Sequence, residues 1–282
     1  MHSIKWGMYF FNLPEYLYQT RRTAMTIQTN AINTTFQKTQ DIISRLSSGS
    51  RINRASDDLA GFAIGQRQTA TVNGLYQSAR NLGDGISLTE TADAALSAGS
   101  DILQRIRELS VQANNGIMSN NDLANIQKEI DQLKNEFDNI AENTQFNGQN
   151  LFDGSYSGTV QVGDDSNNGV TIQLGDLRKV IDDIDVTSEN GVSDAIQNID
   201  NALETINSTR SDLGATKNRF ENAMNELQSS AITHTRAQSA VMDTDFAADI
   251  SENKQNQILS KVQAAMMRTE NTRQTFLMEL FN

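Results

Sequence analysis

The stretch SSGSRINRASDDLAG, Ser47 to Gly61, gathers the side chains of this sequence best suited to chemistry. It carries hydroxyls at Ser47, Ser48, Ser50 and Ser56, cations at Arg51 and Arg54, and adjacent carboxylates at Asp57 and Asp58, with Gly49 and Asn53 between them. Such a set suits an anion-binding loop, a hydrolytic pocket or a joint between helices. A Ser-His-Asp relay needs an imidazole, and the main body offers only His234, inside the helical run THTRAQ, where a surface or interface role is the expectation. The other histidine is His2, so the two-histidine zinc motif H-E-x-x-H cannot form. DDSNNG, from Asp164, has the look of an EF-hand opening, but its twelfth position is Gly175 where a glutamate is needed, and calcium is rejected there. Cysteine is absent, which removes thiolate nucleophiles, disulfides and cysteine zinc sites. It also suits a chain that leaves the cell unfolded without cross-linking. No catalytic residue, metal or cofactor is expected.

The charge balance narrows the partners. Lys and Arg total 23 against 35 Asp and Glu, a net charge of −12 over 282 residues. Such a chain repels nucleic acid and anionic membrane surfaces, both of which require clustered cations. No apolar run approaches the roughly 20 residues of a membrane-spanning helix, so no membrane insertion is expected.

What positions the polar stretch is a set of long helices. The only proline is Pro14, and a chain without proline can run helices of unusual length. Ile32, Thr35, Thr39, Ile42 and Leu46 step by three and four up to the stretch. Beyond it Val72, Leu75, Ala79, Leu82, Ile86 and Thr89 continue, followed by Leu96, Gly99, Leu103 and Ile106. Asn114-Asn115-Gly116, a run tolerant of left-handed backbone, predicts a helix end. A cap within Asn120 to Asp122 then opens a second helix along Leu123, Ile126, Ile130, Leu133, Phe137 and Ile140. From Asn143 to about Asn190 the period shortens. Val160 and Val162, then Val170, Ile172 and Leu174, alternate around a turn at Asp164 to Gly169, which predicts a hairpin. Helix returns along Ile196, Ile199, Leu203, Ile206, Leu213, Phe220, Met224 and Leu227, with Arg210 and Lys217 in seam positions where polar groups set register. A final stripe is Ile258, Val262, Met266, Phe276 and Leu280.

The expected fold is therefore mainly α with a small β region. Long antiparallel helices form coiled-coil or bundle shells, and a β-hairpin lies at the chain midpoint. Helices from the two chain ends must pair with each other. The outermost, roughly 26–46 and 250–282, have thin apolar seams that offset little ordering entropy alone, the profile of a chain that completes its fold on assembly. Residues 1–24, MHSIKWGMYFFNLPEYLYQTRRTA, do not match the rest. Their short apolar run is broken by Asn12 and Pro14 and lacks a small-residue cleavage site, so they read as an atypical leader outside the native fold, with Met25 as the start; a genuine N-terminal extension is the alternative.

From Met25 onward the motifs resemble bacterial flagellin, in order and across both halves. They are INTT, RLSSGSRINRASDDLAGFAIGQR, NLGDGISLTETADAAL, LQRIRELSVQANNG, IQKEIDQLKNEFDNIAENTQFNG and LFDG, then AIQNIDNALETINSTRSDLGATKNRFENAMNEL and DTDFAADI. The resemblance implies a subunit exported through the flagellar type III apparatus that polymerises beneath a cap into the extracellular filament for motility. It implies paired terminal helices at 25–56 and 240–282 as the inner filament core, a helical bundle of 57–142 and 190–239 as the next shell, and a hairpin region at 143–189. With so little chain between the helical halves, the variable outer domains of most flagellins are missing. Implied partners are other copies of itself, a flagellar export chaperone, the filament cap and hook-associated proteins, and the host flagellin-sensing Toll-like receptor. For that receptor the resemblance points to Gln104, Arg105, Leu109 and Glu129, a face equally able to pack against neighbouring subunits. It assigns Ile42, Leu46, Ile258, Val262, Phe276 and Leu280 to terminal-helix assembly. The end, RTENTRQTFLMELFN, lacks the proline of many family members. A hook–filament junction protein, or another secreted helical binding protein, is the alternative. No protease motif occupies the midpoint.

On this reading the opening stretch is the joint between inner and outer helices. Ser56 is the expected cap, Asp57 and Asp58 sit in the new helix's first turn, and Arg51 and Arg54 pair with those carboxylates or with a neighbouring subunit.

Overall fold

The computed structural model describes residues 13–163, 168–181, 184–188 and 191–280. It is mainly helical, with small antiparallel β-hairpins near the chain midpoint. The helices are α1 (Leu13–Ser48), α2 (Leu59–Ala113), α3 (Asn120–Asn143), α4 (Gly191–Met242) and α5 (Phe246–Leu280). Between α3 and α4 lie β1 (Gln145–Phe146), β2 (Gln149–Asn150), β3 (Ser157–Gln161), β4 (Gly169–Gln173) and a short 3-10 turn, Leu177–Lys179. Residues 1–12 of the leader lie outside the described residues, and α1 begins at Leu13. Two compact units form: a terminal unit of residues 1–67 and 237–282, and a central unit of residues 68–236.

In the terminal unit α1 and α5 run antiparallel. Arg45 meets Asp249, and ten residues earlier on α1 Thr35 meets Gln263, fourteen residues later on α5. The face of α1 turned inward is the one its periodicity specifies, with Ile42 and Thr35 buried and Ile32, Thr39 and Leu46 half-buried. Threonine is a poor helix former because its χ1 is restricted. Here the hydroxyls of Thr23, Thr26, Thr29, Thr34, Thr35 and Thr39 each donate to the carbonyl four residues back, at 2.7–2.9 Å.

The 55-residue α2, of which residues 68–113 belong to the central unit, runs unbroken because nothing in it removes a backbone donor. It ends at Asn114-Asn115-Gly116 as predicted, yet none of the three takes the left-handed conformation. Instead the Asn115 N–H reaches back three residues to the Gln112 carbonyl at 3.2 Å, tightening the last turn. The cap of α3 is Ser119, one residue before the predicted cluster. Its hydroxyl accepts from the Asp122 N–H while the Asp122 carboxylate accepts from the Ser119 N–H, a reciprocal capping box. Ile126, Ile130, Phe137 and Ala141 face the core, where they meet Leu82, Leu96, Leu103 and Ile106 of α2 and Ala195, Ile199, Ile206 and Phe220 of α4. Burying one ring the size of Phe137 contributes about 2–3 kcal/mol.

The β3–β4 hairpin pairs Ser157 with Gln173 through Gln161 with Gly169. Ile172 and Leu174 are buried, as the alternation predicts, and Thr159 and Thr171 pair their hydroxyls across the outer face at 3.1 Å. The middle of its turn, residues 164–167, lies outside the described residues. Gly85 lets the hairpin approach α2: a β-carbon there would stand 3.1 Å from Val160 and 3.0 Å from Phe220. A second, smaller hairpin, β1–β2, is an addition to the predicted elements. Asn147 and Gly148 both take positive φ, 51° and 77°, the geometry of a two-residue turn that Asn-Gly favours.

Candidate assembly surfaces

The polar stretch folds as a knot of local hydrogen bonds in the terminal unit. Gly49 ends α1 with φ 71°, a left-handed value that glycine adopts freely. The Arg51 N–H then donates to the Met242 carbonyl at 2.6 Å, and the Thr244 N–H donates to the Gly49 carbonyl at 3.1 Å. The Ser50 hydroxyl reaches Met242 O at 2.9 Å, and Arg51 Nη2 reaches Val241 O at 2.8 Å. Residues 49–51 and 241–244, far apart in the chain, are stitched together by backbone groups.

The carboxylates close the same loop. Asp57 accepts from the Asn53 and Arg54 amides at 3.0 and 2.9 Å, and Asp58 accepts from the Gly61 amide at 2.9 Å. Asp58 is therefore the cap of α2, and Ser56 is not. Its oxygen lies two to three residues ahead of the helix's orphan amides, where a cap must be. Those two amide bonds, Arg54 first and Asn53 next, hold the Asp57 carboxyl below the usual carboxylate range. The Asn53, Arg54 and Gly61 amides are thus engaged by the chain's own carboxylates and not by an incoming anion. Arg51 serves a carbonyl in place of the expected carboxylate. Ser47 and Ser48 are exposed at the end of α1. His234 pairs Nδ1 with Gln68 Oε1 at 2.7 Å, joining α4 to α2 in the central unit, and the described geometry builds no relay around it.

The terminal helices present a division that periodicity alone does not reveal. The face of α5 against α1 is polar: Asp249 and Asn256 are buried, and Gln263 and Glu270 are half-buried, at intervals of seven residues. Arg45 Nη2 pairs with Asp249 Oδ1 at 3.0 Å, and the Thr244 hydroxyl donates to the same carboxylate. The apolar stripe of α5 points away. Ile258 is 61% and Phe276 63% exposed, with Val262 and Met266 exposed beside them. The side chain of Leu280 lies outside the described residues. Of the six expected terminal assembly residues, Ile42 is buried within the chain and Leu46 half-buried, while Ile258, Val262 and Phe276 face outward. The polar heptad Asp249, Asn256, Gln263 and Glu270 marks the α1-facing side of α5, which its apolar periodicity does not reveal.

The expected recognition residues divide as well. Arg105 Nη2 meets Glu129 Oε1 of α3 at 2.9 Å, and Nη1 meets Glu108 at 3.1 Å. Gln104 is exposed beside them, its amide 3.4 Å from the Ser100 hydroxyl. Leu109 does not share that surface. At 2% exposure it belongs to the core cluster with Ile106 and Ala113, although an offset of four residues returns it close to the Arg105 face. Among the described residues, no group of three His, Cys, Asp or Glu side chains could hold a metal, and no helix is long and apolar enough to cross a membrane.

Long helices whose chain-end segments pair through a polar seam, with apolar stripes turned outward, define a self-associating helical subunit. The bacterial flagellin N-terminal helical region matches residues 20–157, and the bacterial flagellin C-terminal helical region matches residues 196–281. The chain is 38% identical over 249 residues to a flagellin of Halalkalibacterium halodurans, covering 86% of this chain and 91% of that one. It is 35% identical over 252 residues to the flagellar filament 30.7 kDa core protein of Treponema maltophilum, covering 83% and 88%. A solved flagellar hook-associated protein from Vibrio parahaemolyticus superposes with a TM-score of 0.59 over 66% of this chain and 100% of that one, and its 12% identity shows the fold alone. The chain belongs to the bacterial flagellin family. It is a structural, non-enzymatic subunit that polymerises into the extracellular flagellar filament.

Proposed function

We propose that this chain joins the filament by burying the outward apolar stripe of α5 against neighbouring copies, the terminal unit completing its core only in the polymer. The observation that carries this is the exposure of Ile258, Val262, Met266 and Phe276 on a helix whose other face is already paired. The α1–α5 pair buries Ile42 but sets polar α5 side chains against α1 and leaves the apolar stripe of α5 wet, which is not a finished core. Residues 25–56 and 240–282 are then the inner filament core, 57–142 and 190–239 the next shell, and 143–189 its hairpin region. Ser47, Ser48, Gly49, Arg51, Asn53, Arg54, Asp57 and Asp58 form the joint that carries load from one to the other. Contacts that repeat without closing a ring generate such a filament.

Further partners follow from the same role: an export chaperone to cover the apolar stripe before assembly, and the cap and hook-associated proteins at the filament ends. The exposed Gln104, Arg105 and Glu129 surface is the face a host Toll-like receptor would read, with Leu109 supporting it from inside. The test is seeded polymerisation of the full chain, followed by electron microscopy. Ile258→Asp with Val262→Asp is expected to abolish growth on seeds while leaving the helical content of the monomer in place. Normal filaments from that variant would overturn the assignment.

A further inference from the structure

Two features of the central unit stay open to solvent. The first is the tip between α2 and α3. Ile117 is 87% exposed there, the most exposed large hydrophobic side chain among the described residues, and Val111 near the end of α2 is half exposed. No charged residue occurs from Leu109 to Asn121, so a chain of net charge −12 presents an uncharged, apolar point. The second is an open cleft of about 400 Å³ between α2 and α4, lined by Glu90, Asp93, Arg210 and Lys217 together with Leu213 and Gly214. The rim charges neutralise each other, Arg210 Nε to Asp93 at 2.8 Å and Lys217 Nζ to Glu90 at 2.7 Å.

Gly214 is the telling residue. It lies in the interior of α4, where glycine is unfavourable because it loses the most backbone freedom. A β-carbon added there meets nothing within 4 Å, and its φ is not left-handed, so nothing in its own fold calls for glycine. Lacking a β-carbon, Gly214 leaves the α2–α4 cleft open beside Leu213, with room for an apolar side chain from outside.

We infer that the α2–α3 tip of one copy seats in the α2–α4 cleft of a second copy, Ile117 lying over Leu213 in the room left by Gly214. The occupant is a second copy because this chain polymerises, and because the two surfaces match in charge. Where two strongly acidic chains repel over most of their surfaces, an uncharged tip and an internally neutralised cleft can meet without desolvating an unpaired charge. Knob and cleft are different patches of one unit, so the contact is heterologous and repeats along an assembly. The inference rests on filament formation, which is read separately.

The chain has no cysteine, so introduced thiols report without background. Ile117→Cys and Ser211→Cys chains, Ser211 lining the cleft, are mixed, grown on filament seeds, checked by electron microscopy and oxidised in air with copper phenanthroline. Disulfide-linked dimers are expected in filaments at about tenfold or more the yield in unassembled chains, since the contact is buried only on assembly. Well-formed filaments without the cross-link overturn the contact, whatever they say of assembly. Should the mixture not grow, Ile117→Cys is diluted into an excess of wild-type chain and labelled with a maleimide. Labelling about tenfold slower in filaments than in monomers supports the buried tip, and equal rates overturn it.

Discussion

Arg45 of α1 and Asp249 of α5 meet at 3.0 Å with side chains only 29% and 10% exposed, the most enclosed ion pair among the described residues of the terminal unit. Asp249 also accepts from the Thr244 hydroxyl, so one carboxylate ties α1, α5 and the turn before α5 together. Asp249→Ala is expected to cost about 2 kcal/mol, because it leaves a half-buried guanidinium with only Glu252 at 3.6 Å. Glu252→Ala, at an exposed position, is expected to cost under about 1 kcal/mol. Amide exchange along α1 and α5 measures both, and equal protection loss in the two variants would refute the ranking.

Glycines of the long helices should divide by what surrounds them. Gly214→Ala is expected to stabilise the monomer by about 0.5–1 kcal/mol, since a β-carbon meets open space and the unfolded chain loses freedom. Gly85→Ala, with Phe220 at 3.0 Å and Val160 at 3.1 Å, is expected to destabilise by about 1–3 kcal/mol. Urea midpoints at constant m-value decide the sign of each.

The joint should matter more to the polymer than to the monomer. Asp57→Ala with Asp58→Ala removes a loop closure and a helix cap but no core contact. Growth on seeds is expected to fall about tenfold or more while thermal unfolding of the central unit changes by only a few degrees. Comparable losses in both measurements would count against the joint's role.

Acid should loosen the caps before it touches the core. Asp57, Asp122, Asp153 and Asp185 all titrate below the usual carboxylate range: Asp57 through the Arg54 and Asn53 amides, Asp122 through the Ser119 hydroxyl and amide, Asp153 through the Ser155 amide and hydroxyl, and Asp185 through the Thr187 hydroxyl and amide. A carboxyl depressed on folding contributes stability that is complete above its unfolded value and is lost as pH falls through its folded one. The Asn53, Arg54, Ser119, Ser155 and Thr187 amides are therefore expected to lose exchange protection, corrected for intrinsic rate, below the ordinary carboxylate range while the core amides of Phe137 and Phe220 keep theirs. Simultaneous loss would mean global unfolding instead.

Gln127 acts as a surrogate strand. Its amide donates to Ile184 O at 2.8 Å and accepts from the Val186 N–H at 2.9 Å, pinning the segment ahead of α4 onto α3. Gln127→Ala strands both backbone groups and is expected to cost about 1–3 kcal/mol, with the Val186 amide among the first to gain exchange. An unchanged Val186 protection factor would show that other contacts hold the segment.

Much of this was legible in the residue order. With proline confined to Pro14, α2 and α4 exceed fifty residues, and Asn114-Gly116 stops α2 where predicted. Arg210 and Lys217, placed in a seam by spacing, pair with Asp93 and Glu90 across the α2–α4 contact. Asn147-Gly148 carried an equally plain hairpin signal for β1–β2. The α2 and α3 caps, by contrast, fell one or two residues from the expected ones. Ser56, Asp57 and Asp58 all have capping oxygens, and only the backbone path decides which one points at the orphan amides.

The sequence by itself determined where the helices run, which residues share a face and, through its ordered motifs, the family. Only the tertiary structure decided what each face meets. Ile258, Val262 and Phe276 form a sound apolar stripe, yet the polar Asp249, Asn256 and Gln263 turn toward α1. Leu109 lies one helical turn from Arg105, yet one is buried and the other exposed. Periodicity sets a side chain's direction around its own helix axis, and that is local. Whether the direction leads into the chain's own core or toward another copy depends on which distant surfaces come together, and no residue's spacing from its neighbours records that.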